Sequence, residues 1–169
     1  MRSHLTALTL VLAALAASVS AGATGERTCT GSQLAGRLAV VPGSAGAGNI
    51  VYALKLKNVS RAQCNVSGLP QGQLLGKSGG KLPTHVKAAF PGALTAILVR
   101  LAPGQSTRAT ARFSPDVPGP GEQTKGRCEP VAYWFRVSAP GGGTTKAAVS
   151  PPTSVCEHGQ LQFSAYGRG

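Results

Sequence analysis

Acidic side chains are nearly missing from this chain: five Asp and Glu stand against 17 Lys and Arg, a formal net charge of +12 at pH 7. Carboxylate-driven acid–base chemistry therefore has few groups to draw on, and the positive potential favours polyanionic partners. The basic residues are scattered singly, without the run of about five or six that marks a nucleic-acid tail, so specific nucleic-acid recognition is not expected. The plainest reading of the excess is a solvated surface that aids solubility. Long hydrophobic runs are also missing. The best apolar stretch, residues 5–17, covers about 13 positions against the roughly 18 or more that a bilayer-spanning helix needs, which excludes a transmembrane segment. Cysteine is sparse, and none of the four, Cys29, Cys64, Cys128 and Cys156, is a near neighbour of another. A zinc site built from close Cys-x-x-Cys pairs is thereby disfavoured, and no cofactor is expected.

What is present begins with an export signal: Arg2 beside the free amine, the apolar stretch 5–17, and small residues through Ala21-Gly22-Ala23. Cleavage is expected after Ala21 or Ala23, removing a signal peptide over residues 1–23 and leaving one secreted domain over 24–169. A lipoprotein would need a cysteine at the cut, whereas Cys29 follows Glu26-Arg27-Thr28. Loss of Arg2 with the signal leaves a charge of +11 from the +12 of the whole chain. Export places all four cysteines in an oxidising space, which favours disulfides over a free-thiol enzyme. Four cysteines allow three pairings, and sequence does not choose among them. The expected set is Cys29 with Cys64 and Cys128 with Cys156, each bridge worth roughly 3 to 4 kcal/mol on the chain-entropy model.

Along the mature chain apolar residues recur at every second position, the period of a strand. Tyr52, Leu54 and Leu56 alternate with Ala53, Lys55 and Lys57, and Ala109, Ala111 and Phe113 alternate with Arg108, Thr110 and Arg112. Other strands are expected over 34–41, 73–75, 96–101, 131–137, 146–149 and 161–163. Breakers stand between them, including Pro42-Gly43, Gly68-Leu69-Pro70, Gly79-Gly80, Pro103-Gly104 and Pro118-Gly119-Pro120-Gly121. Short strands with turns at this spacing predict an all-β fold, a single antiparallel β-sandwich. Pro103-Gly104 suits a type II turn, and Asn58 at a strand end can satisfy loose backbone groups. The loop 114–127 is expected to be mobile, because its Pro-Gly steps cannot join a ladder.

Several pieces carry a likeness in order: Cys29-Thr-Gly-Ser-Gln-Leu34, Leu54-Lys-Leu-Lys-Asn58-Val-Ser60 leading to Cys64-Asn-Val-Ser-Gly68-Leu-Pro70, Leu101-Ala-Pro103-Gly104-Gln-Ser106, then Cys128 before an aromatic strand and Cys156 near the end. In this order they resemble the secreted actinobacterial family called domain of unknown function 4232, over nearly all of the mature chain. The resemblance implies an immunoglobulin-like β-sandwich in exported or lipid-anchored envelope proteins, with no established activity and no catalytic residues to carry over. Leu69 stands where relatives often have an aromatic, and Phe113 where Trp is common; both keep an apolar side chain.

Candidate chemistry is thin. Gly76-Lys77-Ser78-Gly79-Gly80 matches the Gly-x-Ser-x-Gly nucleophile elbow in text, but that motif needs a helix after the serine, and here Lys81-Leu82-Pro83 follows. A glycine-rich hairpin tip between Leu75 and Leu82 is the better reading. The mature chain offers His85 and His158 with Glu26, Asp116, Glu122, Glu129 and Glu157. Glu157 and His158 are adjacent, but neighbours on a strand point to opposite faces, and a Cys156-Glu157-His158 metal site would compete with the disulfide. The sequons Asn58-Val59-Ser60 and Asn65-Val66-Ser67 are read as chance matches.

One constellation suits binding. If Tyr133, Phe135 and Val137 face the core, Trp134 and Arg136 share the outer face with Lys55, Lys57, Arg108 and Arg112, a cationic surface with an embedded indole fit for an anionic polymer or a sugar. The opposite parity buries Trp134 against a disulfide. The expectation is therefore a secreted non-enzymatic module that engages an anionic envelope polymer or an extracellular protein. The alternative is an inhibitor that offers the loop 114–127 to an extracellular protease.

Overall fold

The computed structural model describes residues 27–93 and 97–168. The expected signal peptide, Glu26 and Ala96 lie outside the described residues. Strands form where the sequence alternates: Tyr52, Leu54 and Leu56 are buried while Lys55 and Lys57 are exposed. In chain order the strands are β1 (Leu34–Val40), β2 (Ile50–Asn58), β3 (Cys64–Val66), β4 (Gln71–Leu75), β5 (His85–Ala88), β6 (Val99–Leu101), β7 (Ser106–Phe113), β8 (Ala132–Ser138), β9 (Thr144–Thr153), β10 (Gln160–Phe163) and β11 (Gly167–Arg168). Three of them went unread in the sequence. β3 is buried at every position and so lacks alternation, β5 is a short edge strand, and β11 has two residues.

The ladder runs β4-β8-β9-β1-β2-β7-β10-β5, with β11 added to β7, while β3 and β6 pair separately. The expectation of a purely antiparallel pattern is corrected: β1 pairs parallel to β9, and β5 parallel to β10, so the sheet is mixed. Periodicity specifies which face a strand buries and says nothing of its direction. β1 is hydrogen-bonded on both edges over Gly36 to Ala39, so what a sandwich would divide into two sheets is joined here.

A flat sheet would hold β8 and β10, five strand spacings apart, at about 24 Å. Their Phe135 and Phe163 rings instead stack with centroids 5.5 Å apart. The sheet therefore curls until its ends face each other across the core. At the seam, Leu82 N–H donates to the Leu74 carbonyl (3.0 Å) and Leu74 N–H to Thr84 Oγ1 (2.9 Å), so the segment entering β5 docks on β4 and nearly closes a barrel. Inside lie Leu38, Tyr52, Leu54, Leu56, Phe135 and Phe163, each at most 1% exposed.

Of the three possible cysteine pairings, Cys29–Cys64 and Cys128–Cys156 are the bonds present. The first ties the N-terminal segment to β3; the second ties the loop after β7 to the turn before β10. Pro103-Gly104 makes the expected turn, with Gly104 at φ 80° and Gln105 N–H bonded to Ala102 O (3.0 Å). It links β6 to β7 without pairing them, because β6 bonds to β3. Asn58 is fully buried and satisfied: its amide donates to Ala62 O and Leu101 O, and its Oδ1 accepts from Ser60 N–H and Oγ.

Tyr166 is 3% exposed, and its hydroxyl has no hydrogen-bond partner among the described residues. Burial pushes this phenol upward from its ordinary pKa. Since a buried unpaired hydroxyl costs about 1 to 3 kcal/mol, Tyr166→Phe is expected to leave stability unchanged or raise it by about 1 kcal/mol in urea unfolding. A marked loss would contradict the packing described here.

Candidate functional site

Two assemblies of polar side chains stand out, at different places on the barrel. The first lies on the outer face. On β1, Arg37 is directly opposite Lys55 of β2, and Lys55 is directly opposite Arg108 of β7, so three cations form one row across neighbouring strands. Lys57 follows two positions along β2, and with Arg37 and Lys55 it borders an open depression of about 340 Å³ floored by the small residues Ala35 and Ser106. Of the other residues expected on this face, Arg112 lies further along β7, opposite Val51. Trp134 and Arg136 are on β8, separated from β2 by β9 and β1. Phe135 and Val137 are buried beside them, so Trp134 faces outward and is not packed against a disulfide in the core. Tyr133 departs from the expected parity because a bulge shifts the register between Ala132 and Trp134.

Two residues were missed. Arg37 fills the gap between the β2 and β9 surfaces, and Lys146 places its ammonium 6.0 Å from the Trp134 ring centroid, within cation–π reach. The signal for both was available: each is the polar partner in an alternating strand. What periodicity could not supply was the parallel pairing that sets β9 beside β1.

The second assembly is a clasp on the loop 114–127. Glu122 has 2% of its side chain exposed, and its carboxylate accepts N–H bonds from Gly119 (2.6 Å), Glu157 (2.9 Å) and His158. Glu157 and His158 lie side by side in the left-handed region, with φ of 55° and 56°, and are not on a strand as expected. Successive residues of this kind turn their amides toward one point, a cradle for an anion, and here the anion is the protein's own carboxylate. Gly159 continues the turn at φ 78°, and a Cβ there would sit 1.9 Å from Pro83 O. The loop contributes no ladder strand, as its Pro-Gly steps predict, but the clasp and the Cys128–Cys156 bond tether it, where mobility was expected.

His158 Nδ1 lies 3.6 Å from Glu122 and 3.9 Å from Glu129. Burial pushes the Glu122 carboxyl up, but the three amides and the neighbouring imidazole outweigh it and hold the group below the usual carboxylate range. For Glu129 burial, its hydrogen bond to Glu122 and that carboxylate's charge push upward and outweigh the downward pull of the His158 imidazole. Glu122, Glu129 and His158 bring ligand-type atoms within 4.8 Å of one another. Both Glu122 oxygens are engaged by amides, however, and Cys156 is bonded to Cys128, so the arrangement reads as a structural clasp. His85 and His158 both border a depression of about 530 Å³ with Lys87, Glu157 and Gln160. Ser78 stands apart from them in a turn closed by Gly79 N–H to Gly76 O (3.0 Å), and β5 follows it with no helix between. The sequon residues Asn58 and Asn65 are 0% and 2% exposed, so neither amide is accessible in the folded protein.

The two carboxyls carry opposite pH signatures. Glu122, depressed on folding, contributes stability above its unfolded pKa and loses it as pH falls through the folded value. Glu129, raised on folding, weakens the fold once pH exceeds its folded value, and below its ordinary value of 4.5 that penalty is absent. Glu129→Gln is thus expected to raise the melting temperature at pH 7, with the gain gone below pH 4.5. Glu122→Ala, which strands three amides, should cost about 2 kcal/mol at neutral pH in urea unfolding.

No described helix is long and apolar enough to cross a membrane. No curated protein and no solved structure matches the chain. The family model described as Domain of unknown function (DUF4232) matches residues 29–167, which takes in all four cysteines, the buried Asn58, the Pro103-Gly104 turn and every residue of the basic row and the clasp. The chain belongs to the DUF4232 family.

Proposed function

We propose that the protein is an exported, non-enzymatic module whose basic outer face holds an anionic polymer of the cell envelope. The supporting observation is the row Arg37, Lys55 and Arg108, in which like charges stand directly opposite each other across two strand pairs. Such pairs weaken a sheet, so folding gains nothing from this arrangement, whereas a polyanion laid across it would relieve the repulsion. Their backbone positions are about 5 Å apart across strands and about 7 Å apart along β2, inside a Debye length, so the potentials of their side chains add. β1, β2 and β7 carry no acidic residue to cancel them. The shallow depression suits successive groups of a chain and not an enclosed small molecule. Export rests on the N-terminal signal and agrees with two disulfides. The immunoglobulin-like sandwich is a further part of the proposal, with the doubly bonded β1 joining the two layers.

A second reading draws support from the clasp. A loop held by Glu122 and a disulfide is rigid enough to be offered to a protease as an inhibitor. Loss of serine-protease activity at stoichiometric protein would favour it over polymer binding.

Lys55→Glu separates binding from folding. It converts two like-charge pairs into opposite-charge pairs, so the melting temperature is expected to rise, by roughly 0.2 to 1 kcal/mol of stability per pair. Retention on an anionic polysaccharide column should fall sharply, and further with Lys57→Glu. Undiminished retention by the double variant would remove the basic face from the proposal.

A further inference from the structure

The strand directions give the barrel two unlike ends. At one lie the start of β2, the end of β7 and the start of β10, with the clasp; Asp116, Glu122, Glu129 and Glu157, the acids among the described residues, all belong to the segments there. The other end holds the start of β7, the end of β2 and β11, and no acid among the described residues. Here Ile97 and Leu98, each 46% exposed, and Val59, 55% exposed, face solvent. Ile97 and Leu98 belong to a stretch of sequence, 88–99, that contains no charged residue; Phe90 within it is 71% exposed. The remaining large exposed hydrophobic among the described residues, Val117, lies on the clasp loop. Ile97 and Leu98 also line an open groove of about 940 Å³ whose other walls include Arg100 and Arg168. Apolar side chains and guanidinium groups thus share one surface.

We infer that this end docks on an anionic lipid bilayer, with Ile97 and Leu98 entering the headgroup boundary and Arg168 meeting lipid phosphates. Charge selects the occupant. A strongly basic protein whose described acids lie at the far end is drawn toward a negative surface with the groove foremost, and apolar contact then adds to electrostatic attraction. Neither contribution alone is strong; a few apolar groups together with basic neighbours are the combination that peripheral attachment requires. The polymer-binding face proposed above lies on the side of the barrel and adjoins this groove at Ser106, but its cations Arg37, Lys55 and Lys57 do not line the groove.

The test is partition of the purified oxidised protein into vesicles of anionic phospholipid and, in parallel, of zwitterionic phospholipid. Wild type is expected to favour the anionic vesicles by tenfold or more at low salt, with the preference narrowing as salt screens it. I97S/L98S should lower partition into anionic vesicles roughly tenfold while leaving retention on the polysaccharide column unchanged. Arg168→Glu should reduce the preference for anionic over zwitterionic vesicles. Leu98→Ser alone reads the same groove if the double variant does not fold. Equal wild-type partition into both vesicle types, or undiminished partition of the apolar variants, overturns the inference. Loss of column retention through Lys55→Glu with vesicle binding intact would leave it standing.

Discussion

Everything in this fold depends on β1 being bonded along both edges. Gly36 to Ala39 pair with β2 on one side and β9 on the other, so two strand groups that could have packed as separate layers become one continuous surface. Close approach is part of the arrangement: a Cβ on Gly36 would lie 2.9 Å from the Ala147 Cβ on β9. With the middle joined, the remaining apolar area can be hidden only by bending, and the curl that brings Phe135 onto Phe163 is the result. The disulfides then fix what hydrogen bonding leaves loose, the N-terminal segment and the long loop after β7.

Charge distribution follows from the same geometry. A barrel this small turns alternate residues of its long strands outward, and with so few acids in the sequence the outward positions of β1, β2 and β7 are basic or neutral. The carboxylates among the described residues lie at one end, where Glu122 organises three amides and so holds the turn that starts β10. Basic residues on the wall and the described acids gathered at one end give the molecule a direction in an external field, independent of any specific contact.

The strands with alternating residues were legible because period two follows directly from backbone geometry, and the all-β class followed from them. Tyr52, Leu54, Leu56 and Phe113 are buried as that alternation requires. Strand direction was not legible, since Ala147 and Val149 alternate identically whether β9 runs with β1 or against it. The basic face was read in part for the same reason: Arg37, Lys55, Lys57 and Arg108 lie on strands that adjoin through antiparallel pairs, while Lys146 enters only through the parallel β1–β9 contact. The clasp was hidden more deeply. Glu157 and His158 carry no residue-level mark of a left-handed backbone, and the carboxylate that stabilises it is 35 residues away in sequence.

The buried Asn58 has a consequence for how the protein can be produced. Its amide nitrogen donates to two carbonyls inside the fold, one of them on β6, so a glycan attached there would replace contacts that close the β2 exit. In a eukaryotic secretory host the sugar transfer meets the nascent chain before those contacts form. Any molecule modified at that asparagine would be barred from the native state, and yield in such a host would measure a race between glycan transfer and folding.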